Sequence, residues 1–148
     1  MNDPMNNVSK SVFPEWMTRT VQLLGPEKCS RLQKAHVLVV GLGGVGSAVA
    51  ENLVRSGIGS ITLVDNDVVQ PSNINRQVPA LHSTIGMSKV SVMESRLKDI
   101  NPALNVRMMQ TFVNEETLDM VLSEAYDFAV DAIDTLTPKI LFIEKLNK

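Results

Sequence analysis

The chain has 148 residues, 44% hydrophobic and 20% charged, with a net charge of −2 at pH 7. That length suits one buried core, and the weak negative charge excludes a general pull toward nucleic acid or anionic membrane, so an RNA substrate requires a local basic patch or one outside this chain. The single cysteine, Cys29, excludes an internal disulfide and a cysteine zinc site; with no membrane-length apolar run and a polar opening unlike a signal peptide, a soluble cytoplasmic protein is expected.

Residues 1–14 are Asn-rich, carry Pro4 and Pro14, and lack periodicity, so they are expected to be disordered. A short helix is expected over 14–25, opened by Pro14 and stopped at Gly25. Another follows over 26–35, with Leu32 and Ala35 inward. HVLVV (36–40) is a β-branched run typical of a strand buried on both faces. Residues 43–57 form a helix of small residues closed by Gly57, and SITLV (60–64) is a second buried strand. Pro71, Pro79 and Gly86 make 66–86 an irregular surface excursion.

Val90, Met93, Leu97 and Ile100 recur at helical spacing in 88–101, and Pro102 ends that helix. LNVRMM (104–109) alternates as a strand does. Residues 114–125 open with an Asn cap and two acids suited to a helix N-terminus. YDFAV (126–130) is the fourth strand, and 137–148 begins a last helix with Pro138 tolerated in its first turn. Strands alternate with helices, so the fold class is α/β: a Rossmann-like, doubly wound, mostly parallel sheet. Four strands ending on a helix look unfinished. One domain over 15–148 is therefore expected to be the N-terminal part of a longer enzyme, truncated at its C-terminus.

Gly41, Gly43 and Gly46 spell G-x-G-x-x-G between a strand and a helix. Such glycines permit a tight turn and let backbone N–H groups approach a phosphate at the positive end of the helix dipole. Asp65 ends the next strand, 19 positions after Gly46, at the spacing where a carboxylate meets a ribose hydroxyl. The bland alternative is a turn that only lets helix and sheet pack closely. Neither motif nor acid separates NAD from ATP. The added Gly44 allows a still closer backbone approach, as a triphosphate requires.

Behind Asp65 and Asp67, the loop carries Asn73, Arg76 and Gln77 toward the C-terminal edge of the sheet, where ligands bind in open α/β folds. The planar fork of Arg76 can grip phosphate oxygens. Lys89 falls in the first turn of its helix, against the macrodipole, a placement that a ligand's negative charge would answer. Solvated surface charge is the competing reading for both cations. Asp131 and Asp134, in DAIDT after the fourth strand, suit either Mg²⁺ beside a triphosphate or a helix cap.

Taken together, RTVQLLG, HVLVVGLGGVGSAVAENLVRSGIGSITLVDND, NINRQVPALHSTIGMSKV, DINP and YDFAVDAIDTLTPK resemble the ThiF/MoeB/HesA superfamily, relatives of the ubiquitin-activating enzymes. RSGIG and DAIDT are most similar to its branch of tRNA threonylcarbamoyladenosine dehydratases. The resemblance runs from about residue 16 to the end. It implies ATP- and Mg²⁺-dependent adenylation of a carboxylate, the threonylcarbamoyl group of a modified tRNA, followed by cyclisation with loss of AMP. It also implies a nucleotide loop of Gly41, Gly43, Gly44 and Gly46, ribose at Asp65 with Asp67 alongside, and Asn73, Arg76 and Gln77 against the phosphates. Lys89 would neutralise charge near the α-phosphate. Asp134 would handle Mg²⁺, with Asp131 the weaker candidate. Arg19 would reach into the partner's site of a homodimer.

The cysteine loop used by branches that transfer sulfur or ubiquitin-like proteins does not occur in this chain, and Cys29 is expected to be a packing or surface residue. The rival readings are adenylation of a ubiquitin-like sulfur carrier, with partners from a sulfur-carrier or cysteine-desulfurase system, an NAD-dependent oxidoreductase, and a non-catalytic binding module. A fragment that lacks part of the acceptor site is expected to be inactive.

Overall fold

The computed structural model describes residues 12–146. The expected disorder over residues 1–11 lies outside the described residues. Phe13, inside that expected lead, is instead buried in a small cluster with Met17 and Cys29, so Cys29 is a packing residue.

A 3-10 turn at Glu15–Met17 leads into α1 (Thr18–Leu24), which Gly25 closes at φ 82° before α2 (Pro26–Leu32). Next come β1 (His36–Val40), α3 (Gly44–Ser56) and β2 (Ser60–Val64). Two 3-10 turns, Pro71–Asn73 and His82–Thr84, punctuate the excursion before α4 (Lys89–Ile100) and β3 (Asn105–Met109). The described chain ends with α5 (Glu115–Val121), β4 (Phe128–Asp131) and α6 (Leu136–Leu146). No helix of the described residues is long and apolar enough to cross a membrane.

Three elements depart from the sequence expectation. The second helix stops at Leu32 and not at 35, because half-buried Ala35 already leads into the sheet: its carbonyl accepts from Ser60 N at 3.1 Å. The Asn114 cap is real, its Oδ1 accepting from Glu116 and Thr117 N–H, yet α5 ends at Val121 and not 125. The fourth strand starts two residues late. Tyr126 packs edge-on against His36 with ring centroids 4.7 Å apart, and its hydroxyl donates to Val121 O, which draws that residue out of the ladder.

The sheet is all parallel in the order β3-β2-β1-β4. Side chains alternate across each strand. Val37 and Val39 therefore face α3 and α4, packing with Ala50, Val54, Met93 and Leu97. Leu38 and Val40 face the other way, onto Leu118, Val121 and Phe142 of α5 and α6. Helices thus cover both faces, which is why the two inner strands read as unbroken apolar runs. Burying a side chain such as Leu97 or Phe142 stabilises the fold by about 1.5–3 kcal/mol.

The chain leaves β1 for β2 and β3 on one side, then crosses back to lay β4 on the other. That reversal opens a crevice beyond the C-terminal ends of β1 and β4, the place where doubly wound sheets bind ligands.

Candidate nucleotide-binding site

The turn from β1 into α3 forms the floor of the crevice, and its glycines divide their work. A Cβ on Gly41, whose φ is +91°, would sit 2.5 Å from Ala132 O, and one on Gly46 would meet both the Gly41 carbonyl and Ala132. These two positions are glycine because the turn, the first coil of α3 and the end of β4 touch there. Packing therefore accounts for them, as the bland reading of the motif held.

Gly44 is glycine for a third reason. Its Cβ would lie 3.3 Å from Arg76 O, so the excursion crosses directly over the N-terminus of α3. Gly43 differs from all of these: a Cβ there would meet nothing closer than Gln77 Nε2 at 3.8 Å. The backbone beside Gly43 is open, and the first N–H groups of a 13-residue helix lie next to it.

A cavity of about 730 Å³ stands over this floor. Its wall takes in Gly41, Gly43, Gly44, Asp65, Asp67, Asn73, Arg76, Gln77, Lys89 and Asp134, all residues singled out from the sequence. Gly46 is buried beneath the turn and does not line it. Arg19 does not line it either. It is exposed on α1, where its guanidinium donates to Gln22 Oε1 at 3.4 Å. Asp131 is likewise absent from the wall.

Lys89 is buried to 4% relative exposure and its ammonium donates to Asp67 Oδ2 at 2.9 Å, so the surface-charge reading fails for this residue. Asp67 also answers its unfavourable place at a helix N-terminus. Arg76 is exposed, and its guanidinium donates to Ser72 O and Asn75 Oδ1 with no carboxylate partner among the described residues. Of the other exposed cations, Arg31, Arg55, Arg96, Lys98 and Lys145 are paired with acids, while Arg19, Lys28 and Lys34 have no acid partner among the described residues but lie off the cavity wall. Arg76 thus brings a free positive charge to the cavity.

Asp65 ties the site together from β2. Leu42 N–H, within the glycine turn, donates to its Oδ2 at 2.6 Å, and Asp67 N–H donates to its Oδ1 at 2.7 Å. Each carboxylate oxygen retains accepting capacity for a hydroxyl. Asn73 is buried, and its Oδ1 accepts from Gln70 N–H, shaping the loop that carries Arg76. Gln77 has a buried Oε1 with no hydrogen-bond partner, a polar group a ligand can satisfy.

The two aspartates after β4 separate cleanly. Asp131 accepts from Ile133 N–H and from Lys139 Nζ at 2.7 Å, so it braces α6 and is neither the helix cap nor a free ligand. Asp134 is exposed at the wall, and its Oδ1 accepts from Thr135 Oγ1 at 3.3 Å. Among the described residues no cluster of three or more His, Cys, Asp or Glu could hold a metal. A divalent cation here would need phosphate oxygens to complete its shell, which is the habit of Mg²⁺ with one carboxylate.

Sequence reasoning missed the third wall. Thr111, Phe112 and Val113, just past β3, line the cavity, and Phe112 stays 47% exposed there. Adjacent strands lie about 4.8 Å apart, so the ends of β3 and β1 are roughly 10 Å apart. The cavity therefore runs from the glycine turn after β1, which the Arg76 loop crosses, to a less polar end at β3. A hydrophobic residue three positions past the end of the third strand was the available signal.

Residues 17–144 match the ThiF family. The chain is 45% identical over 129 residues to tRNA threonylcarbamoyladenosine dehydratase of Haemophilus influenzae, covering 86% of this chain and 49% of that protein. It is similar to the crystal structure of E. coli tRNA N6-threonylcarbamoyladenosine dehydratase in complex with ATP, with a TM-score of 0.85 at 40% identity, covering 87% of this chain and 53% of that one. A sulfur carrier protein adenylyltransferase of Thermus thermophilus is 36% identical over 118 residues, 80% of this chain and 43% of that protein. The chain spans about half the length of these relatives.

Proposed function

The chain belongs to the ThiF family, and from that membership we propose that it binds ATP with Mg²⁺ and adenylates a carboxylate, that of the threonylcarbamoyl group on a modified tRNA adenosine. The carboxylate oxygen attacks the α-phosphorus, the bond to the β-phosphate oxygen breaks, and pyrophosphate leaves. The acyl adenylate then cyclises and releases AMP.

One observation carries this reading: buried Lys89 and unpaired Arg76 share a cavity wall above an open glycine turn. Attack at phosphorus needs fixed cations in a site that has already paid for its own organisation, so nothing reorganises as charge develops. The N–H groups beside Gly43 and Gly44 receive phosphate oxygens. Asp65 takes the ribose, Asn73, Arg76 and Gln77 lie along the phosphates, and Lys89 faces the α-phosphate. Asp134 would hold Mg²⁺, which would offset charge on the phosphates, and Phe112 lies against the base. A hydride-transfer enzyme would leave Arg76, Lys89 and Asp134 without a role.

The tRNA assignment is supported by the higher identity to the dehydratase than to the sulfur-carrier enzyme, 45% against 36%. Adenylation of a sulfur carrier is the second reading, on the strength of that latter relative. We read the protein as a cytoplasmic homodimer; the exposure of Arg19 on α1, away from its own cavity, supports the dimer by leaving that side chain within reach of a partner's site. Pyrophosphate release measured with modified tRNA and with a Gly-Gly-ended carrier tests the assignment. Release driven by the carrier alone would replace the tRNA reading. Calorimetric preference for NAD over ATP–Mg²⁺ would end the adenylation reading altogether.

A further inference from the structure

A continuous string of hydrogen bonds links the glycine turn to the start of α4. Leu42 N–H donates to Asp65 Oδ2, and Asp67 N–H to Asp65 Oδ1. Lys89 N–H then donates to Asp67 O at 3.1 Å, while Lys89 Nζ donates to Asp67 Oδ2 at 2.9 Å. A short antiparallel bridge, Val68 with Ser88, fastens the same two segments, helped by Val69 N–H to Met87 O at 2.8 Å. Asp67 thus grips Lys89 by backbone and side chain at once.

The pair is asymmetric. The Lys89 side chain is 6% exposed and that of Asp67 58%. A buried ammonium demands a partner, whereas the carboxylate keeps most of its contact with water. The Asp67 carboxylate is therefore the half of the pair that water can serve, able to yield the ammonium to a stronger anion without being stranded itself.

We propose that Asp67 is a positioning residue for Lys89: it holds the ammonium at the cavity wall and competes with the incoming triphosphate for it, which limits how tightly the site retains nucleotide. This rests on the nucleotide reading above. It assigns Asp67 a role through Lys89, beyond the place beside ribose that family resemblance gives it.

The test is a double-mutant cycle read by calorimetry with ATP–Mg²⁺ on the full chain: Asp67→Asn, Lys89→Met and the pair together. Asp67→Asn preserves size and a hydrogen-bonding oxygen but removes the charge. It is expected to tighten ATP binding roughly tenfold, the low end for coupling between a close charge pair. In the Lys89→Met background the same change is expected to alter affinity by less than about twofold, because the competitor no longer has anything to compete for. Lys89→Gln serves if Lys89→Met does not fold.

Weakened or unchanged ATP binding in Asp67→Asn overturns the proposal and leaves the nucleotide site standing. Equal tightening in both backgrounds also overturns it, since Asp67 would then act as a bare repulsive charge. No ATP binding by the unmodified chain removes the nucleotide reading itself, a result distinct from either.

Discussion

A methyl group placed on Gly46 would lie 1.7 Å from the carbonyl oxygen of Gly41. The obstacle is backbone, which cannot rotate aside as a side chain can. Gly46→Ala is therefore expected to cost at least the 1–3 kcal/mol typical of overpacking, about that range or above it, seen as a lower melting temperature. Gly43→Ala is expected to leave the melting temperature nearly unchanged and to weaken ATP binding instead, because only open cavity lies beside it. Equal loss of stability in both variants would contradict the division of labour among the glycines.

Lys89→Ala removes a cation that is already desolvated and fixed. ATP–pyrophosphate exchange, measured with the acceptor that supports it, is expected to fall by roughly 10²–10³, the loss seen when one preorganised electrostatic donor is deleted. Near-normal exchange would refute its role at the α-phosphate.

Asp131 and Asp134 are three residues apart and predicted to behave oppositely. Asp131→Asn breaks the brace to Lys139 and is expected to reduce stability by up to about 1 kcal/mol, since both partners keep some contact with water. Asp134→Asn is expected to leave the melting curve in place and raise the Mg²⁺ concentration needed for ATP binding. Thermal melts and a Mg²⁺ titration at fixed ATP check the pair.

Phe112 supplies apolar surface to the β3 end of the cavity. Phe112→Ala is expected to weaken ATP binding by about 1–3 kcal/mol, the worth of one base–aromatic contact, with pyrophosphate binding unaffected. Parallel loss of both ligands would place Phe112 elsewhere than against the base.

Glu51 provides a pH signature remote from the site. A hydrogen bond from the Arg96 side chain, with a further one from Arg55, outweighs burial and holds its carboxyl below the ordinary value of 4.5. A depressed carboxylate stabilises the fold fully above its unfolded-state value and loses that contribution as pH falls through the folded one. The stability gap between the unmodified chain and Glu51→Gln should thus be constant above pH 4.5 and close below it. Denaturant unfolding across that range measures the gap; a gap that persists into acid would show that the ion pairs contribute nothing.

Local patterning along the chain was enough to locate the elements and the strand ends that carry chemistry. HVLVV and SITLV are strands to the residue because short β-branched apolar runs, each bounded on one side by a glycine, admit little else, and the periodicity of Val90, Met93 and Leu97 placed the buried face of α4 correctly. The glycine motif with Asp65 located the turn for a similar reason, since its signal is confined to neighbouring residues. Which of those residues share a cavity, and what each touches there, became visible once the strands were assembled. Lys89 meets Asp67 across 22 positions, Asp131 is consumed by Lys139, and Phe112 joins the wall because β3 lies two strands from β1. Spacing along a chain fixes local geometry, whereas these pairings depend on strand order and on which charge is left in low dielectric beside which partner, and neither quantity is carried by any single stretch of residues.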